Sequence, residues 1–142
     1  MPQFEELDVW RRACRLSVAL YKQFADCREY AFKDQVTRSG LSVASNIAEG
    51  FERESRAELN RFLRISKGSC GELRTQLFIG VEVGLVPRSE GLKLVDEALQ
   101  ISKMLSGLIK HQQKITCSLF CLCSSFSSFI LSLWFYWEIV QR

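Results

Sequence analysis

Histidine occurs once in the 142 residues, at His111, and no glutamate stands three positions before it. That excludes the Glu-x-x-His pairs from which a bundle holds two metals. It also leaves Cys14, Cys27 and Cys70 without a local partner for Cys-His nucleophilic chemistry. No glycine loop of the phosphate-cradling type is present. No metal or cofactor is expected, and the chain reads as non-enzymatic. A large excess of one charge is also missing: 19 Lys and Arg stand against 16 Asp and Glu, a net charge of +3. Any affinity for a polyanion must therefore come from how the charges are distributed. The opening Met1-Pro2-Gln3-Phe4-Glu5-Glu6 lacks a basic region leading into an apolar run, so a secretory signal is not expected. The six cysteines follow no disulfide framework, which points to reduced thiols in the cytoplasm. Cys117, Cys121 and Cys123 also lack the spacing of paired zinc hooks.

Strand alternation is absent from residues 1 to 114, and helical periodicity takes its place. Leu7, Trp10, Cys14, Ser17, Tyr21 and Phe24 recur at spacings of three and four, predicting a first helix over 6–25. Trp10 suits a core or interface better than a base-stacking platform. A second helix is expected from residue 32 or 33 to Glu49, with Val36, Leu41, Val43, Ala44, Ile47 and Ala48 as its apolar content and Gly50 as a left-handed stop. Ser55, with Glu58 three residues on, caps a third helix running to about Val83, before Gly84 and Pro87. A fourth begins at Ser89 and reaches about residue 113. Four amphipathic helices on short loops make an all-α, antiparallel up-down four-helix bundle over 1–114.

The third helix sorts its charges. Leu59, Phe62, Leu63, Cys70, Leu73 and Leu77 share one face, and Arg53, Arg56, Arg64, Lys67 and Arg74 share a stripe about 100° away. Glu54, Glu58 and Glu72 lie on the opposite flank. Guanidinium forks and a lysine point charge along a rigid helix can follow a phosphate backbone without reading bases, so these five are the candidate nucleic-acid-binding residues. Arg38 and Arg61 are weaker candidates, either of which could pair with an acidic neighbour. Charged helix flanks are more often merely solvated.

Three segments in order, Phe4-Glu5-Glu6-Leu7-Asp8-Val9-Trp10, Asn46-Ile47-Ala48-Glu49-Gly50 and Ser66-Lys67-Gly68-Ser69-Cys70-Gly71-Glu72-Leu73-Arg74-Thr75-Gln76-Leu77, carry a resemblance. Over about residues 4 to 113 the chain resembles the bacterial four helix bundle protein family, first noticed as a reading frame within intervening sequences of large-subunit ribosomal RNA genes. It is also similar to the accessory variability protein of diversity-generating retroelements. The resemblance implies a ring-shaped homopentamer and, for the retroelement branch, binding to nucleic acid and to a reverse transcriptase. Asn46, Glu49 and Gly50 match the central motif and suit structural roles at a helix end. Gly68 and Gly71 make part of the third helix unusually small, at about 1 kcal/mol each relative to alanine, which close helix approach could offset.

From Ile115 to Trp137 no charge occurs, and the resemblance ends where this stretch begins, so 115–142 reads as a separate apolar tail. Its length would span a membrane, with Lys110 and Lys114 favouring a cytoplasmic bundle. Six serines dilute its apolarity, and an unselected C-terminus or a helix packed on the bundle are the alternatives. Two functions remain open: an oligomeric nucleic-acid-binding accessory protein, or an interaction scaffold tethered through residues 115–137.

Overall fold

The computed structural model describes residues 3–140, with side chains through Lys114. A 3₁₀ turn, Phe4–Glu6, leads into α1 (Asp8–Gln23), α2 (Tyr30–Glu52), α3 (Arg56–Glu82) and α4 (Arg88–Val140). No strand occurs among the described residues. By compactness the chain forms two units, Met1–Ile109 and Lys110–Arg142. Within the first, the four helices pack as a bundle, and the short links between them force successive helices to reverse. Contacts that climb one helix while descending its neighbour make the reversal explicit. Ser66 Oγ donates to the Val43 carbonyl at 2.8 Å, and Ser39 Oγ donates to Gln76 Oε1 at 2.7 Å.

The apolar face expected for α3 forms part of the core, but α1 departs from its expected seam: Val9, Ala13, Leu16 and Leu20 are buried beside Ser17 and Phe24, whereas Tyr21 is exposed and Leu7, Trp10 and Cys14 are only half-buried. Leu16 and Leu20 of α1, Val36, Val43 and Ile47 of α2, Leu59, Leu63, Cys70, Leu73 and Leu77 of α3, and Ala98, Ile101 and Leu105 of α4 are buried together. Trp10 is half-buried and meets Phe4 edge-on at 5.2 Å. Leu41, counted above as apolar content of α2, is instead half exposed, because it lies on the side of that helix away from its neighbours.

Helix ends follow local chemistry where a side chain or a glycine can satisfy the backbone. Ser55 Oγ accepts from the Glu58 amide at 3.1 Å and so caps α3 as its position predicts. At the other end Gly84 takes the left-handed conformation (φ 76°), while the amides of Gly84 and Leu85 return to the carbonyls of Val81 and Gly80. Gly50 corrects the expectation for α2. It is not a left-handed stop but lies inside the helix, which continues to Glu52. The reason is packing: a Cβ at Gly50 would sit 2.9 Å from Phe62 Cβ and 3.3 Å from Leu59 Cδ1, so its bare backbone lets α2 and α3 approach.

Gly40, Gly80 and Gly91 serve the same purpose, against Leu20, Phe32 and Val81. Gly68 and Gly71 do not. They are exposed, and nothing in the protomer lies within 4 Å of a Cβ built on either, so close packing between its own helices does not offset their cost.

Serines supply further polar ties between helices. Ser17 Oγ donates to the Gly40 carbonyl at 2.9 Å, linking α1 to α2 at the glycine that lets them close, and Ser42 and Ser69 hydroxyls meet at 2.9 Å. These contacts satisfy buried polar groups that would otherwise cost about 1–3 kcal/mol apiece.

Candidate nucleic-acid interface

The buried seam of α3 decides which way its basic residues face. With Leu59, Leu63, Cys70, Leu73 and Leu77 turned inward, Arg56, Arg64 and Lys67 are exposed and Arg74 is half-buried at the edge of the seam. On a straight helix Arg56 and Arg74 are five full turns apart, so they point the same way, about 27 Å apart along the axis. Lys67 falls about 20° from that line and Arg64 about 80°. Three of these cations therefore follow one edge of α3, and the fourth stands on its outward face.

Arg53 is not part of that line. It is the residue at the C-terminal cap of α2, in extended backbone before α3 begins. Its guanidinium is bonded to Glu49 and lies over the Phe62 ring, 5.2 Å from the centroid. Its charge is thus committed at the α2–α3 link, and the ridge on the third helix comprises Arg56, Arg64, Lys67 and Arg74. Position 53 fits the angular repeat of the ridge, but the helix starts three residues later.

Some cations of the bundle are held in ion pairs, while Lys22, Arg28, Lys33 and Lys103, like the four ridge residues, have none among the described residues. Arg38 is paired with Asp34 at 3.6 Å, as its weaker candidacy allowed, Arg88 with Glu82 at 3.4 Å and Lys93 with Glu90 at 2.9 Å. Among the described residues Arg56, Arg64, Lys67, Arg74 and the secondary candidate Arg61 have no carboxylate within ion-pair reach. Arg74 Nε is buried without a hydrogen-bond partner among the described residues. Burial pushes the thiol of Cys70, one turn before Arg74, up to about 12, against a smaller lowering by the Arg74 charge. That thiol is therefore a packing group and not a nucleophile.

The other flank of α3 is polar and differently built. Gln35, Arg38, Ser39, Ser42 and Glu72 line an open notch of about 270 Å³ between α2 and α3. Glu72 accepts from Gln76 Nε2 at 3.0 Å there, so the acidic side of the helix is held away from the basic edge. Glu58, grouped with that flank, belongs to the α3 cap, and Glu54 lies in the link before the helix.

The central motif has structural geometry. Asn46 Nδ2 donates to the Ser42 carbonyl at 2.7 Å and to Ser42 Oγ at 2.9 Å, Glu49 holds Arg53, and Gly50 admits α3. Among the described residues no group of three or more His, Cys, Asp or Glu could hold a metal ion.

An all-helical bundle of four helices defines the class of this protein. The chain belongs to the 23S rRNA-intervening sequence protein family, whose sequence model matches residues 5–107. A solved structure of similar fold is a protein of unknown function from the S23 ribosomal protein family of Bacteroides thetaiotaomicron VPI-5482. It is 24% identical, with a TM-score of 0.68 over 72% of this chain and 98% of that one. No match is found among proteins of curated function.

No helix among the described residues is long and apolar enough to cross a membrane. The anchor expectation for residues 115–137, and the thiols Cys117, Cys121 and Cys123, fall on side chains outside those described.

Proposed function

We propose that the protein is a non-enzymatic, oligomeric accessory protein of the cytoplasm that holds RNA or DNA by its backbone along the basic edge of α3. The observation that carries this reading is the alignment of Arg56, Lys67 and Arg74 along one edge of α3 with Arg64 beside them, four cations with no carboxylate of the described residues in ion-pair reach. A phosphate backbone, with one charge per about 1.7 Å of duplex axis, supplies the missing anions and releases counterions on binding. Assembly into the homopentamer implied by the family resemblance would repeat the edge around a ring. Such a ring would offer a polyanion a field that the net charge of one protomer does not. A reverse transcriptase acting on the bound strand is the partner the same resemblance suggests.

The test is binding of the full chain to labelled single-stranded RNA and duplex DNA across a salt series, with oligomeric mass measured in the same buffers. Affinity should fall steeply with salt and be lost in Arg56→Glu, Arg64→Glu, Lys67→Glu with the oligomer intact. An oligomer that ignores both polymers at low salt would sink the proposal.

A second reading has one observation in its favour. Ile65, Phe78 and Ile79 of α3 are each more than two-fifths exposed. In a scaffold these apolar groups and the neighbouring cations would face another protomer, and charge reversal would then dissociate the oligomer.

A further inference from the structure

Phe78 of α3 keeps 45% of its surface exposed, and its place on the helix separates it from the other exposed apolar groups there. At 100° per residue it lies about 40° from Arg56 and Arg74 and about 20° from Lys67, whereas Ile65 and Ile79 lie about 140–180° from the Arg56–Arg74 line. The ring therefore ends the basic edge and does not belong to the outward apolar stripe. Along the axis it stands about 6 Å beyond Arg74 and about 16 Å beyond Lys67.

That edge runs along the α4 side of α3. Gly91 of α4 is set against Val81, one turn beyond Phe78 and about 60° round from it, while Ser66 and Gln76 reach α2 on the other side. Because α4 runs back along α3, Leu92 comes level with the end of α3 that holds Phe78. Lys103, three turns further along α4 and about 20° round from Leu92, comes level with the stretch between Lys67 and Arg74. Leu92 is 40% exposed, and Lys103 is exposed with no ion pair among the described residues. Both helices thus offer an apolar group at one end of the seam and unpaired charge further along it. Two carboxylates border the apolar end. Glu82, one turn after Phe78, is held by Arg88 at 3.4 Å, and Asp96, one turn after Leu92, accepts from Gln100 at 3.5 Å. Along the seam the excess remains positive, through Arg56, Lys67, Arg74 and Lys103.

A line of cations asks only for a polyanion, but an aromatic face at its end asks for one that also carries flat apolar surfaces. In a duplex the faces of the bases are covered by one another. In a single strand they can turn out and stack on a ring, a contact open to every base because every base has a π-face. We propose that Phe78 is a base-stacking platform at the end of the basic edge, and that the edge takes single-stranded nucleic acid in preference to duplex. This inference rests on the nucleic-acid reading of the same edge and deepens it by naming the form of polymer bound. The phosphates run past Lys67, Arg74 and Lys103 while a base leaves the strand to lie on Phe78, with Leu92 beside it.

The experiment uses the full chain and two substitutions that leave its charge unchanged. Phe78→Leu keeps apolar bulk but removes the π-face, and Phe78→Trp enlarges that face. Affinities for labelled mixed-sequence single-stranded RNA, single-stranded DNA and duplex DNA are measured across a salt series beside Arg56→Glu/Lys67→Glu, with thermal midpoint and oligomeric mass. The wild type should hold single strands more tightly than duplex. Phe78→Leu should lose about tenfold or more on single strands and little on duplex, with the slope of log affinity against log salt unchanged, and Phe78→Trp should retain binding. Thermal midpoint and mass should stay level. Phe78→Leu protein that binds single strands like the wild type, while Arg56→Glu/Lys67→Glu does not, would overturn the platform and leave the ridge standing. An equal loss on single strands and duplex would overturn stacking as the cause. A change of mass in Phe78→Leu would overturn the platform in favour of contact with a second copy. Wild-type protein that binds none of the three polymers would remove the ridge and the platform together.

Discussion

Arg12 of α1 grips Glu97 of α4 with both arms of its guanidinium, Nε to Oε1 at 2.8 Å and Nη2 to Oε2 at 2.7 Å, across 85 residues of sequence. A third donor, Nη1, reaches Met104 Sδ at 3.6 Å. The pair joins the first and last helices of the bundle, and its planar, two-bond geometry is the form in which a partly exposed ion pair contributes most.

That clasp makes stability depend on pH in a stated direction. The hydrogen bonds from Arg12, ahead of its charge, hold the Glu97 carboxyl below the usual carboxylate range, against an opposing rise from burial. A folded-state value below the unfolded one means that the contribution is complete above the unfolded carboxylate range. It is lost as pH falls through the folded value. Glu97→Gln should cost roughly 1 kcal/mol near neutral pH, the figure kept low because the pair is partly solvated. Thermal melts of both proteins should differ at pH 7 and converge in acid; a constant difference would refute the clasp.

Gly50→Ala should destabilise the bundle. The new methyl would meet Phe62 Cβ at 2.9 Å, close to the α3 backbone where no side-chain rotation relieves it. Overpacking of this kind costs about 1–3 kcal/mol, of which the better helix propensity of alanine returns about 1. Urea denaturation should show a lowered midpoint with unchanged slope.

Ser55→Ala removes the acceptor for the Glu58 amide and should lower stability by about 1 kcal/mol, fraying the start of α3. Hydrogen exchange should rise at residues 56 to 59 and leave Leu73 and Leu77 protected.

The Cys70 thiol, completely buried and pushed up to about 12, should resist alkylation at pH 8 in the native protein and react once the chain is unfolded in urea. Peptide mapping distinguishes it from the half-buried Cys14 and Cys27. Labelling of native Cys70 at the rate of an exposed thiol would contradict the packing of α3.

Under the proposed nucleic-acid reading, Lys67→Gln removes one phosphate contact without adding repulsion. Binding to RNA or DNA should weaken similarly across sequences, and the slope of log affinity against log salt should become shallower by about one unit. An unchanged slope would take Lys67 out of the interface.

Helix existence and the inward face of α3 were legible in the chain because they depend on periods of three and four residues, whereas on α1 two registers fit those periods and the packing buries Leu16 and Leu20 rather than Tyr21. Leu59, Leu63, Cys70, Leu73 and Leu77 announce a buried stripe whatever they pack against, and Ser55 caps α3 through an amide three residues away. The basic edge is legible for the same reason, once Ser55 marks where the helix begins and leaves Arg53 outside it. What a side chain meets across the bundle is not periodic. Arg12 and Glu97 find each other only when α1 and α4 are brought together, and no local spacing joins them. Glycine shows the division most plainly. In sequence Gly50, Gly68 and Gly71 are equally free of a side chain. Only the tertiary arrangement presses Gly50 against Phe62 inside a helix and leaves Gly68 and Gly71 facing open space, because close approach belongs to two helices and not to one.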